Sequence, residues 1–206
     1  MVLLVRTDPQ APRHNGISVL LVPLDSPGVD RRPQRQLTGE SEFAEVFFTD
    51  VRVPASALLG PLNEGWRVTM ATLGYERTGV ISMAAALQRE LEALVGEMTI
   101  DGPLVRDEVV RGWMDARLTG LLGARALAKL AGGNPGPEQS VIKFAWSRVT
   151  SELGETVMRA AGSGALLADS PGAQRFLRSR ASTIAAGTTE VMKDLLAEQV
   201  LGLPKS

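Results

Sequence analysis

The chain has 206 residues, 44% of them apolar and 22% charged, and its formal net charge is −1. That profile fits an ordinary globular protein with enough chain to bury a core, and it excludes a broad basic footprint, so no nucleic-acid partner is expected. The absence of cysteine removes disulfides, thiolate metal sites and cysteine nucleophiles, and the single histidine, His14, cannot build a multi-imidazole zinc site. No metal is expected. No run approaches the ~20 apolar residues of a membrane span, and the apolar residues 1–5 are too short for a signal peptide. A cytoplasmic protein is expected.

Residues 1–60 read as strands. Ile17-Ser18-Val19-Leu20-Leu21-Val22 is a short apolar run that follows Asn15-Gly16 and stops at Pro23, and Ser26-Pro27-Gly28 marks a turn. Residues 43–53 hold two overlapping alternations, Ala44, Val46 and Phe48, then Val51 and Val53, closed by Pro54. So few short strands leave an open edge and a bare face that something else must cover. From Gly65 the period becomes helical. Trp66, Met70, Leu73, Val80, Met83, Ala84, Leu87, Leu91 and Leu94 recur every three or four residues and predict one long helix. A second helix is predicted after Asp101-Gly102-Pro103, with Val105, Val109, Trp113, Leu118, Leu121, Leu122 and Leu127 as its stripe, until Gly132-Gly133-Asn134-Pro135 breaks it. A third is expected over Glu138–Ala161, burying Val141, Phe144, Ala145 and Val149, and a last one from near Thr188 to before Gly202 and Pro204. The predicted architecture is mainly α: a C-terminal four-helix bundle over residues 61–206, preceded by a partial β-sheet or β-barrel segment over residues 1–60.

Glu76 is the most informative single residue. Helical spacing puts it on one stripe with Leu73, Val80, Met83 and Leu87. A carboxylate buried among such side chains gains proton affinity, as a general base near neutral pH requires. The plainer alternative is an edge glutamate paired with Arg77 or a neighbouring helix. Gly187-Thr188-Thr189-Glu190, after Ala185-Ala186, reads as a helix N-cap whose backbone N–H groups could also receive a phosphate or a carbonyl oxygen. Gly162-Ser163-Gly164 reads as a C-cap, and Arg175, Arg178 and Arg180 as a solvated or interface cluster.

The collinear order of Arg6-Thr7-Asp8-Pro9, Gly16-Ile17-Ser18, Asp25-Ser26-Pro27-Gly28, Phe47 to Pro54 and Asn63-Glu64-Gly65-Trp66 resembles the acyl-CoA dehydrogenase family. So does the tail from Ile184-Ala185-Ala186-Gly187-Thr188-Thr189-Glu190 through Ala197-Glu198-Gln199-Val200-Leu201-Gly202, in the style of an actinobacterial-type member. The resemblance covers nearly the whole chain. It implies a flavoprotein oxidoreductase of fatty acid and lipid metabolism that takes the α proton of an acyl-CoA, passes the β hydride to FAD, and hands electrons to an electron-transferring flavoprotein. Many members carry their base, a glutamate, directly before the Gly-Thr of the tail motif; here Ala186 stands there. A minority arrangement, as in isovaleryl- and long-chain-type enzymes, places the base on the first long helix of the C-terminal domain, and Glu76 matches it.

By the same resemblance, Arg77 and Gly187 are substrate-side residues, the Gly187 N–H polarising the thioester carbonyl. Thr188, Thr189 and Glu190 resemble the segment that meets the flavin's phosphate and ribose, and Ala161 and Gly162 a loop that reaches the neighbouring subunit's FAD. Set against the family pattern, the chain starts inside the β domain and lacks the first helical domain and the earlier flavin-holding strands. An Arg-x-x-Phe-Gly segment is missing between Gly79 and Pro103, and the glutamine usual in the FAD loop is replaced near Met158. A non-catalytic bundle that oligomerises with a complete dehydrogenase subunit is therefore the alternative, and an oxidase-like reaction with oxygen as acceptor a third. Under each, a homo-oligomer or hetero-oligomer is expected, because the open sheet and long apolar stripes leave surface to cover. The small Ala185 and Ala186 leave room for a branched or bulky acyl group.

Overall fold

In a computed structural model of the protein, the structure describes residues 1–76, 79–132 and 138–204. The chain forms two compact units, Met1–Glu76 and Arg77–Ser206. In the first, β1 (Val2–Arg6), β2 (Ile17–Leu21) and β5 (Leu58–Leu59) make an antiparallel sheet in the order β1-β2-β5, with Leu4 opposite Val19 and Leu20 opposite Leu58. β3 (Val29–Gln34) and β4 (Phe43–Phe48) form a separate two-stranded ribbon.

Helix α1 (Gly65–Glu76) belongs to this first unit and packs on β2. Its entry is fixed by a polar knot. The Asn63 N–H donates to Ser18 Oγ (2.8 Å), and the Thr7 hydroxyl contacts both Ser18 Oγ (2.7 Å) and Asn63 Oδ1 (2.6 Å). Gly65 is required there: a Cβ would lie 2.7 Å from Ser18 Cα. The division by compactness thus falls after α1, later than the change of periodicity near residue 60.

The second unit is helical: α2 (Gly79–Glu97), α3 (Gly102–Ala131), α4 (Glu138–Ala161), α5 (Pro171–Ala181) and α6 (Thr189–Gln199). Helix α4 is its hub and packs against α2, α3, α5 and α6. Two apolar clusters seal the bundle. Val80, Ile81, Ala84, Ala126 and Ile142 form one; Leu87, Leu91, Ala116, Val149 and Leu153 form the other. The Val, Leu and Ile side chains among them each contribute about 1.5–3 kcal/mol on burial, which outweighs helix propensity in holding the unit together. The mostly helical architecture predicted from periodicity is the one observed.

Several local expectations are corrected. The helix predicted from Trp66 to Leu94 is helical over Gly65–Glu76 and Gly79–Glu97, and residues 77–78 lie outside the described residues. Its stripe is not uniformly buried, because Val80 and Leu87 are enclosed whereas Leu73 and Met83 are exposed. Strand β4 ends at Phe48 instead of running to Val53, because Asp50 takes a positive φ of 51° that no strand tolerates. On α4 the buried positions are Ile142, Lys143, Ser147, Val149, Leu153, Gly154, Thr156 and Val157, with Val141, Phe144 and Ala145 only half-buried, since the helix is enclosed on more than one side. Helix α5, invisible to periodicity, buries the small residues Gly172, Ala173 and Ser179.

Candidate active site

The site is built around the connection from α5 to α6. Helix α5 starts on a Ser170 N-cap, whose hydroxyl accepts from the Ala173 N–H (3.1 Å), with Pro171 in the first turn. At its other end Ser182 is buried, and its hydroxyl reaches the Ser179 and Ser147 carbonyls. The Ser182 carbonyl in turn accepts from Lys143 Nζ at 2.9 Å. Lys143 is only 2% exposed, and burial lowers its pKa from the ordinary lysine value. A lysine inside the bundle thus pins the start of the turn.

Beyond Ser182 the chain reverses. The Thr189 N–H donates to the Thr183 carbonyl (3.1 Å), closing a loop over residues 183–189. Within it Ala186 and Gly187 take φ values of 56° and 107°. Gly187 is needed twice over: its φ is one that side chains avoid, and a Cβ would sit 2.6 Å from Met192 Cε beneath it. Thr188 caps α6, its hydroxyl accepting from the Val191 N–H at 3.3 Å, and Glu190 lies in the helix's first turn. Among the described residues the Gly187 N–H makes no hydrogen bond, while Ala185 and Ala186 are exposed beside it. An unspent N–H on a rigid turn at a helix start is a donor ready for a carbonyl or phosphate oxygen.

Ala161 and Gly162 stand at the junction of α4 and a 3-10 turn, Gly162–Leu166. A cavity of about 1080 Å3 opens between the end of α2, α4 and α5. Ala161 and Ala185 both line it, whereas Thr188, Thr189 and Glu190 do not. Leu94, Met98, Trp146 and Val157 supply apolar wall, Arg175 and Arg178 positive charge, and Glu90 and Glu97 negative charge. Thr150, also in the wall, has a buried hydroxyl with no partner among the described residues. Arg180, grouped with Arg175 and Arg178 in the sequence, instead turns inward to Glu155 (3.3 Å) and the Ser151 carbonyl (2.9 Å).

The remaining two assigned residues lie apart in the chain. Glu76 ends α1 in the first unit and is exposed, not enclosed by apolar side chains as the spacing suggested. Arg77 lies outside the described residues. Lys143 and Thr150 were not foreseen; the only signal for Lys143 is its place between Ile142 and Phe144 in an otherwise apolar turn of α4.

Residues 63–201 match the family model described as "Acyl-CoA dehydrogenase, C-terminal domain". The chain belongs to the acyl-CoA dehydrogenase family. It is 41% identical over 215 residues to acyl-CoA dehydrogenase IpdE1 of Mycolicibacterium smegmatis, an alignment that covers 98% of this chain and 53% of the relative. It is 37% identical over 207 residues to acyl-CoA dehydrogenase FadE34 of Mycobacterium tuberculosis, covering 99% of this chain and 29% of that one. Among solved structures, the Tcur3481-Tcur3483 steroid ACAD superposes with a TM-score of 0.89 at 27% identity, over 99% of this chain and 56% of its own. The ChsE4-ChsE5 complex from Mycobacterium tuberculosis gives a TM-score of 0.78 at 27% identity, over all of this chain and 57% of its own. The chain spans about half the length of the IpdE1 relatives it matches.

Proposed function

We propose that this chain is the C-terminal part of an FAD-dependent acyl-CoA dehydrogenase acting on the α,β bond of an acyl-CoA thioester, with Glu76 as the base. The match of residues 63–201 to the family's C-terminal domain carries this reading. In this reading residues 1–60 are the end of the family's middle β domain and residues 61–206 its C-terminal helical domain, the latter supported by the match over 63–201. Glu76 would remove the α proton. The Gly187 N–H would hold the thioester oxygen and stabilise the charge that develops there, and Arg77 would lie on the substrate side.

Two observations support the cofactor reading: the open surface on the Cβ side of Gly162, and the arginine-lined cavity that Ala161 borders. Thr188, Thr189 and Glu190 would hold one part of FAD, and Ala161 and Gly162 would approach another. Bound flavin supplies the hydride-accepting chemistry. An electron-transferring flavoprotein would receive the electrons, an oligomer would be the working form, and the cytoplasm its place; no helix among the described residues is long and apolar enough to cross a membrane. The exposed, small Ala185 and Ala186, together with the likeness to a steroid ACAD, favour a bulky or ring-bearing acyl group.

One observation favours a second reading, a non-catalytic partner subunit: the Arg-x-x-Phe-Gly segment is missing between Gly79 and Pro103. The test is the visible spectrum of the purified chain after FAD addition and gel filtration, followed by an acyl-CoA titration. Retained flavin that bleaches with substrate, and a Glu76→Gln variant that retains flavin but turns over about 100- to 10,000-fold more slowly, are expected. Retained flavin with unchanged turnover in the variant removes Glu76 as base. Absence of flavin shows that this chain alone is not the catalyst and moves the test to the chain joined to the rest of the family's architecture or to a partner subunit.

A further inference from the structure

Helix α5 does not end for a reason local to its last residue. Ser182 keeps helical dihedrals, φ −60° and ψ −29°, and the Ala185 N–H still donates to the Ala181 carbonyl at 2.9 Å, the four-residue bond of an α-helix. One step further, the helix would join the Ala186 N–H to the Ser182 carbonyl and the Gly187 N–H to the Thr183 carbonyl. Neither bond forms among the described residues. Each of the two carbonyls is held by another donor: Lys143 Nζ donates to Ser182 at 2.9 Å, and the Thr189 N–H to Thr183 at 3.1 Å. The chain then reverses through Ala186, at a positive φ of 56°.

The first of these donors comes from outside the turn. Lys143 lies on α4 one helical turn before Ser147, whose carbonyl accepts from the Ser182 hydroxyl at 3.2 Å. One face of α4 therefore grips Ser182 by its carbonyl and by its side chain. An amine at the last carbonyls of a helix fills a place that the helix leaves open and complements the negative end of its dipole. Burying an amine is costly unless it is hydrogen-bonded, and Lys143 is enclosed with its Nζ on this carbonyl.

We propose that Lys143 is a positioning residue: by taking the Ser182 carbonyl it stops α5, and so keeps the Gly187 N–H from being spent inside a longer helix. The use of that N–H on a thioester oxygen rests on the dehydrogenase reading; the stop itself does not.

Amide hydrogen exchange on the full chain, read residue by residue by NMR, tests it. In the parent the Gly187 amide should exchange about tenfold or more faster than the hydrogen-bonded Ala185 amide. In Lys143→Met the Ser182 carbonyl opens to Ala186, and the Gly187 amide should slow about tenfold as α5 extends. A lysine that only held the fold together would give the opposite sign, because a loosened turn exchanges faster. Lys143→Arg keeps a donor and should stay near the parent rate. A Gly187 amide that is slow in the parent, or unchanged or faster in Lys143→Met, overturns the proposal. So does a parent without scalar coupling between Lys143 Nζ and the Ser182 carbonyl carbon, a measurement that needs no variant to fold. Octanoyl-CoA and its thioether S-octyl-CoA, which lacks the carbonyl, then read the donor itself. Lys143→Met should weaken the thioester about fivefold and leave the thioether unchanged, and a loss of both alike, or of neither, overturns the positioning role. A parent that binds neither ligand removes the dehydrogenase reading of this chain, while the exchange rates still decide the stop.

Discussion

The turn at Gly187 and the described end of α1 at Glu76 carry two of the residues proposed for the reaction, and each is held within its own unit in a different way. The turn is fastened from several sides: Lys143 and Ser147 hold Ser182, Thr189 closes on Thr183, and Met192 fills the space beneath Gly187. Glu76 is the last described residue of α1, exposed and in a different compact unit. A donor for a developing negative charge works only if it stays put, because its value comes from not having to reorganise during the reaction. A base has a different requirement, an environment that sets its proton affinity. In this chain the Gly187 turn is fixed by its backbone and anchors, whereas Glu76 is exposed at the described end of α1.

Substitutions on the two sides should therefore separate. The largest stability effect is expected at Gly187→Ala, which imposes both a disfavoured φ and a close contact with Met192; roughly 1–3 kcal/mol should be lost in denaturant unfolding. Thr188→Ala removes the α6 cap and should cost about 1 kcal/mol in the same measurement. Lys143→Met sharpens the contrast through pH. Burial lowers the Lys143 pKa, so between that lowered value and the ordinary lysine value the unfolded chain binds more protons than the folded one. Stability should accordingly rise with pH through that interval, and the rise should be smaller in Lys143→Met. The smallest effect is expected at Glu76→Gln, where the exposed carboxylate should leave unfolding unchanged within about 0.5 kcal/mol whatever happens to turnover. A large loss of stability there would show that Glu76 is structural and would dissolve the contrast.

How far the fold could be seen in advance follows from what each element buries. Helices α3, α4 and α6 carry Leu, Val or Met at helical spacing between Gly and Pro breaks, and their bounds were readable. Helix α5 buries Gly172, Ala173 and Ser179 and shows Arg175 and Arg178 outward, so no apolar period exists to detect. Strand β3, Val29–Gln34, contains Arg31, Arg32 and Pro33 and is a strand only because β4 pairs with it; Arg32 lies over the Phe47 ring and beside Asp30. In the candidate site the Thr188 cap was legible from its residue type. The role of Lys143 was not, since a lysine reads as surface until a third dimension places the Ser182 carbonyl above it.

The knot that joins Ser18 to Asn63 spans 45 positions of chain. During synthesis at about 5–20 residues per second, Ser18 therefore waits roughly 2–9 s before Asn63 is even made. Through that interval the edge of β2 that will meet β5 has no partner within the nascent chain, and a run as apolar as Val19-Leu20-Leu21 is open to pairing with a neighbour on the same polysome. The first unit is thus the part of this protein whose yield should respond most to translation speed and to chaperones that bind extended segments.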